Sequence, residues 1–225
     1  MKKIKHSLRE ITKAAEEGDG DAQYWLGCMY GKGINHLQDD VEAVKWFLKS
    51  AEQGNADAPC NLGVMYLTGK GVKYNVYEAA EWFLMSAKKG NANSQYYLGQ
   101  MYLNGDGVPQ DTTKALKWFG KAADQEHAEA QYMVGKCYFM GYGVDQDYTE
   151  ALKWYRKAAD RGHTDALFAI GYCYHFGLGV KEDEIEGEKL FEKALEQKHE
   201  TVNGLLDKFD QSIQQMQAAH KLSFH

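Results

Sequence analysis

A glycine recurs at a constant step of 36 residues: Gly27, Gly63, Gly99, Gly135 and Gly171, each preceded by an aliphatic residue (Leu26, Leu62, Leu98, Val134, Ile170). Tyr30, Tyr66, Tyr102, Tyr138 and Tyr174 keep the same step, as do Trp46, Trp82, Trp118 and Trp154, with Leu190 in the fifth copy. A period of this size describes a chain of small structural units, each unable to bury its apolar face alone and stabilised by stacking on its neighbours. Five copies span residues 21–198, flanked by 1–20 and 199–225, which read as capping segments.

Within a copy, Ala130, Tyr132, Val134, Gly135, Cys137 and Tyr138 fall on one broad face at helical spacing, defining a helix A. A Gly-x-Gly follows in four copies, beginning at Gly69, Gly105, Gly141 and Gly177, which suits a helix C-terminus where φ > 0 is wanted. Asp39, Asn75, Asp111, Asp147 and Asp183 then occupy an N-cap column, with Glu42, Glu78, Glu150 and Glu186 three residues later. Helix B carries an aromatic pair such as Trp118-Phe119 and ends at Ala-Ala. In the first copy Gly31 and Gly33 arrive early, which predicts a shortened helix A and a longer loop over 34–38. At the ends, Ser7 to Glu17 aligns with a helix B, while Thr201 to Ala219 begins as a helix A but has Asp207 and Asp210 where glycine and tyrosine would stand.

The pattern Ala-x-x-x-Leu-Gly-x-x-Tyr-x-x-Gly-x-Gly-Val, then Asp-x-x-x-Ala-x-x-Trp-Phe-x-x-Ala-Ala, then Gly-His or Gly-Asn, resembles the Sel1-like repeat family, relatives of the tetratricopeptide repeats. The resemblance implies an all-α, right-handed α/α superhelical solenoid, with helix A lining the concave side, and an adaptor or scaffold role. In some bacterial relatives cysteines bridge helices A and B within each unit. Cys28, Cys60, Cys137 and Cys173 do not repeat in that way.

Composition narrows the function. A net charge of −6 lacks the concentrated Lys and Arg that displace counterions from phosphates, so nucleic acid is excluded as an expected partner and a basic protein segment is favoured. Met1 to Lys5 is basic, but no apolar stretch follows it, and nowhere do 18 apolar residues run together. The expectation is a cytoplasmic protein with reduced thiols, no transmembrane segment and no cofactor or metal.

Counting from the repeated glycine, positions −6, −2, +1 and +5 of helix A project within about 60° of one another. The copies disagree along this stripe. It holds Asp21, Trp25 and Cys28 in the first copy, Asp57, Asn61, Val64 and Thr68 in the second, and Asn93, Tyr97, Gln100 and Asn104 in the third. The fourth supplies Glu129, Met133, Lys136 and Met140, the fifth Asp165, Ala169, Tyr172 and Phe176. Columns that must pack stay uniform, whereas a stripe freed from packing diverges, so this one is expected opposite the core, facing solvent. Its aromatic and methionine side chains suit interface anchors. The amides of Asn61, Gln100 and Asn104 suit hydrogen bonding to an extended peptide. The acids Asp21, Asp57, Glu129 and Asp165 line one edge or complement helix dipoles.

Other signals read as structural. His127, His163 and His199 share a column with Asn55 and Asn91 and suit turn or capping roles, since one imidazole per copy stands too far from the next to share a metal. His175 reads as a satisfied, partly buried histidine, and Cys137 and Cys173 as core residues in a column that elsewhere holds methionine. Cys28 lies on the stripe without a fixed base beside it. Lys117, Lys121, Lys153 and Lys157 read as a solvated outer face of helix B with helical charge pairing. The leading expectation is a non-catalytic adaptor that binds a protein or peptide in the helix-A groove. The alternatives are an inhibitor, immunity protein or effector that acts by binding, and an enzyme acting on cell-wall material, for which no catalytic constellation emerges.

Overall fold

The computed structural model describes residues 8–34 and 37–198, all within an all-α architecture. Eleven helices follow one another among the described residues: α1 (Leu8–Glu16), α2 (Gly20–Lys32), α3 (Asp40–Glu52), α4 (Ala58–Thr68), α5 (Val76–Lys88), α6 (Ala92–Asn104), α7 (Thr112–Asp124), α8 (Ala128–Met140), α9 (Tyr148–Asp160), α10 (Thr164–His175) and α11 (Glu184–Lys198). They form two compact units, Met1–Asp111 and Thr112–His225. In the first, α1 to α6 pack each on the next; in the second, α7 to α11 do the same.

Helix A of a copy and its helix B meet at the repeated glycine. A Cβ on Gly27 would come within 2.8 Å of the Phe47 ring, on Gly63 within 2.7 Å of Phe83, and on Gly135 within 2.6 Å of Tyr155. The glycine therefore persists because the second aromatic of the Trp-Phe pair lies flat against the helix backbone. Phe83 and Tyr155 are fully buried, whereas the Trp column is half-buried. The Trp rings carry cations on the outer side: Lys49 Nζ stands 4.1 Å above Trp46, Lys121 4.2 Å above Trp118, and Lys157 3.7 Å above Trp154. The outer face is thus partly built from cation–π contacts. Helical pairing of Lys153 with Glu150 at 2.7 Å accompanies them.

The two helices of a copy are tied together by polar contacts. The side chain of Asp39 accepts from the N–H groups of Val41 and Glu42, Asn75 from Tyr77 and Glu78, and Asp147 from Glu150. The cap residue's own N–H donates to the repeated tyrosine's carbonyl, Asn75 to Tyr66 at 3.0 Å and Asp147 to Tyr138 at 2.9 Å, which fixes the turn between A and B. Ser50 Oγ donates to the Gly20 carbonyl at 2.6 Å and Ser86 Oγ to the Ala56 carbonyl at 2.8 Å, tying helix B to the start of helix A. The second glycine of Gly-x-Gly has a packing role as well as a positive φ. A Cβ on Gly71 would fall 2.1 Å from the carbonyl oxygen of Asp40, so this turn lies directly on the start of the preceding helix B.

Two expectations change. The first helix A is not shortened: α2 has 13 residues and ends at Gly33, whose φ of 65° makes it the left-handed cap in phase with Gly69. Gly31 is simply a residue of that helix, and residues 35–36 lie outside the described residues. His175 is half-buried but not satisfied, since its Nδ1 has no hydrogen-bond partner and its ring packs against Phe176 and Phe191. The N-terminal helix, described from Leu8, does act as a helix B: Gln23 Nε2 donates to the Ala15 carbonyl just as Gln95 does to Ala87 and Gln131 to Ala123. The expected C-terminal cap over 199–225, and His199 with it, lies outside the described residues.

Candidate functional site

The divergent stripe does not lie opposite the core. It flanks it, as where Tyr24 and Cys28 of α2 pack against the core that holds Ala58, Leu62 and Met65 of α4. At the helix ends the stripe is open: Asp21, Asp57, Thr68, Asn93, Asn104, Glu129 and Phe176 are exposed. In the middle it is half-buried. Val64 and Tyr97 pack against the core around Phe83, and Tyr172 against the core around Tyr155, as does Met140 at the C-terminal end of α8. Trp25 breaks this rule, with 57% of its surface exposed at a mid-helix position, while Ala169 is wholly buried and is no part of any surface.

In the first unit, Tyr97 stacks on Phe83 with ring centroids 4.8 Å apart, so half of its ring serves the core and the rest faces outward. Trp25 meets Tyr24 edge to face at 5.6 Å. The Tyr24 hydroxyl faces Cys28 and Asn61, and burial pushes the phenol's pKa up to about 12, so it remains a neutral hydrogen-bonding group. The amides expected to receive a peptide already have partners. Gln100 donates to Tyr96, Asn104 donates to Asp106 at 3.2 Å, and Asn61 faces Tyr24. They brace the surface before any ligand arrives.

In the second unit, Glu129, Met133, Lys136 and Met140 lie along α8, and Asp165, Tyr172 and Phe176 along α10 and its C-terminal cap. Met133 and Lys136 are half-buried. Burial lowers the Lys136 pKa from its ordinary value, opposed by the negative potential of Asp165. Tyr172 and Phe176 pack together at 4.6 Å, leaving Phe176 half-exposed.

The acidic column has a role that its dipole placement only half explains. Three of its acids bond to a residue at the start of the next helix A: Asn55 Nδ2 donates to Asp21 at 3.0 Å, Asn91 Nδ2 donates to Asp57 at 2.7 Å, and His163 Nε2 lies 2.9 Å from Glu129. The same cap residues close their own helices. Asn91 Oδ1 accepts from Ser94 N–H, His127 Nδ1 from Ala130 N–H, and His163 Nδ1 from Ala166 N–H. The histidine column is therefore a capping column, as its alignment with asparagine implied. Asn55 stands slightly outside the helix, accepting from the N–H groups of both Asp57 and Ala58, so Asp57 makes no cap bond of its own.

The model of the Sel1 repeat matches residues 20–55, 56–91, 92–127, 128–163 and 164–199. The chain belongs to the Sel1 repeat family. No curated protein matches it. Among solved structures it is similar to c5321, a protective antigen of uropathogenic Escherichia coli with the SLR fold, at 36% identity and a TM-score of 0.80 over 84% of this chain. This chain spans 41% of that protein's length. A Sel1 repeat protein from Oxalobacter formigenes is 28% identical, with a TM-score of 0.78 over 84% of this chain and 79% of the other. The immunity protein Pa5087 of Pseudomonas aeruginosa is 21% identical, with a TM-score of 0.54 over 84% of this chain and 72% of its own, which shows the shared fold alone.

In this Sel1 repeat chain the four cysteines are free. Cys137 and Cys173 are fully buried, and burial pushes both thiols up to about 12. Cys28 is also raised, mainly by burial, so the one cysteine on the stripe is held as a protonated thiol. Among the described residues no group of His, Cys, Asp or Glu is arranged to hold a metal ion, and no helix is long and apolar enough to cross a membrane.

Proposed function

We propose that the helix-A face is a docking surface for a protein or peptide segment, and that the chain works by binding, as a non-catalytic adaptor. One contrast carries this reading. The uniform columns Leu26, Leu62, Leu98 and Val134 are buried, while the divergent columns present Trp25 and Phe176 exposed and Tyr97, Met133 and Tyr172 half-exposed. Large apolar side chains held on rigid helices with one side open are what an interface core requires, because little conformational entropy is left to lose on binding. Sel1 repeats generally mediate protein binding, which supports the same reading. Asp21, Asp57 and Glu129 of this face are held by Asn55, Asn91 and His163, which supports binding over acid–base chemistry.

Tyr97 and Tyr172 contribute to the core, so alanine there perturbs folding and binding together. Trp25, Met133 and Phe176 make the cleaner probe. Peptides selected by display against the full chain should lose at least about tenfold in calorimetric affinity for the Trp25→Ala, Met133→Ala, Phe176→Ala variant, with its helical circular dichroism unchanged. Selected peptides that bind this variant as tightly as the parent would reject the reading.

A further inference from the structure

The outward stripe of helix B reads Lys-Lys-acid in four copies, as Lys45, Lys49 and Glu52 in α3 or Lys153, Lys157 and Asp160 in α9, and likewise in α7 and α11. In α5 the same positions hold Glu81, Met85 and Lys88, so both end charges are reversed and the middle one is lost. Tyr77 begins this stripe. At about 100° per residue, Tyr77, Glu81, Met85 and Lys88 lie within about 80° of one another on one face of α5. That face is open: Tyr77 is 70% and Met85 44% exposed, and Glu81 and Lys88 are exposed with them.

The chain alone gains nothing from these changes. Lys45, Lys153 and Lys189 each pair with the glutamate three residues before them, whereas the same spacing in α5 sets Glu78 and Glu81, two like charges, on adjacent turns. Met85 takes the position of the lysines that stand over Trp46, Trp118 and Trp154. Among the described residues no hydrogen bond or ion pair engages the side chain of Glu81 or Lys88.

We propose that α5 is the contact of a two-fold dimer, lying antiparallel on α5 of a second copy of this chain. With the axis between Leu84 and Met85, Glu81 of each copy meets Lys88 of the other, and Met85 and the half-buried Leu84 form an apolar centre. Charge complementarity selects this occupant, because the α5 stripe matches itself when its direction is reversed. The Lys-Lys-acid stripes of a second copy match Glu81 and Lys88 only by setting a lysine against Met85. A contact made by one helix face is small and belongs with transient associations. It uses a B helix, so it stands or falls independently of the helix-A docking surface.

Sedimentation equilibrium of the full chain between about 1 and about 500 μM should follow a monomer–dimer equilibrium, with a dissociation constant on the order of 10 to 100 μM. Glu81→Lys installs the residue that the four other copies carry and gives Glu78 an ion-pair partner, so the fold is kept. Both Glu81→Lys and Lys88→Glu put like charges at the two contacts, and each should weaken the dimer at least about tenfold with the thermal midpoint of the monomer retained. The two single variants mixed in equal amounts are complementary and should form a heterodimer, and the double variant should dimerise like the parent. A chain that stays monomeric over this range, a single variant that dimerises as tightly as the parent, or a mixture that does not associate would overturn the proposal.

Discussion

At the scale of single residues, the repeated glycine and the histidine cap give predictions of known sign. Replacing Gly63 with alanine adds about 1 kcal/mol of helix propensity but drives a methyl to 2.7 Å from the fully buried, rigid Phe83 ring. Overpacking of this kind costs about 1 to 3 kcal/mol and decides the balance, so Gly63→Ala should lower the urea midpoint. Gly120 lies in α7 with open space where a Cβ would be, and Gly120→Ala should add about 0.5 to 1 kcal/mol of stability and so raise the midpoint. Shifts of the same sign in both variants would contradict the packing account. His127 accepts the Ala130 N–H through Nδ1 and so caps only while that nitrogen is unprotonated. Burial lowers its pKa below the ordinary value near 6.5, against the pull of Glu129. As pH falls below about 6.5 the unfolded chain binds this proton first, so stability declines with acid down to the lower folded pKa. His127→Asn keeps a capping side chain, as Asn91 shows in the same column, and should flatten part of the loss as pH falls below about 6.5 in denaturant titrations. An unchanged slope would remove His127 from the acid response.

At the scale of elements, the helix starts depend on side chains whose roles differ between columns. Asp39 accepts from two N–H groups at the start of α3, and Asp39→Ala should cost about 1 kcal/mol. At α4 the corresponding work falls to Asn55, not Asp57, so Asn55→Ala should destabilise more than Asp57→Ala in parallel urea titrations. The reverse order would contradict the assignment. Such caps were largely legible in the sequence because an N-cap sits at a fixed offset from the helix it starts, as Asp39, Asn75 and Asp147 show. What was not legible involved contacts between copies. The pairing of Asp21 with Asn55 spans 34 residues and depends on the lateral packing of successive A helices, which a period alone does not specify. For the same reason the stripe was read as wholly solvent-facing, although Val64 and Tyr97 lean on a neighbouring core and Ala169 is buried. In the first copy Gly31 lies inside α2 and Gly33 is the first glycine of the motif. The missing glycine is the second of the motif, not the first.

At the scale of the whole molecule, five copies of one hairpin have uniform columns that are consumed by packing, and the divergent stripe is the proposed recognition surface. The claim is about location, so footprinting tests it most directly. With the full chain saturated by a display-selected peptide, photochemical carbene labelling should fall at the helix-A positions of the unit that holds it, Trp25 and Tyr97 in the first or Met133 and Phe176 in the second. It should stay unchanged at Val41, Tyr77 and Met85, which are exposed apolar residues on B helices. Protection of Val41, Tyr77 and Met85 with the helix-A positions still labelled would contradict the account.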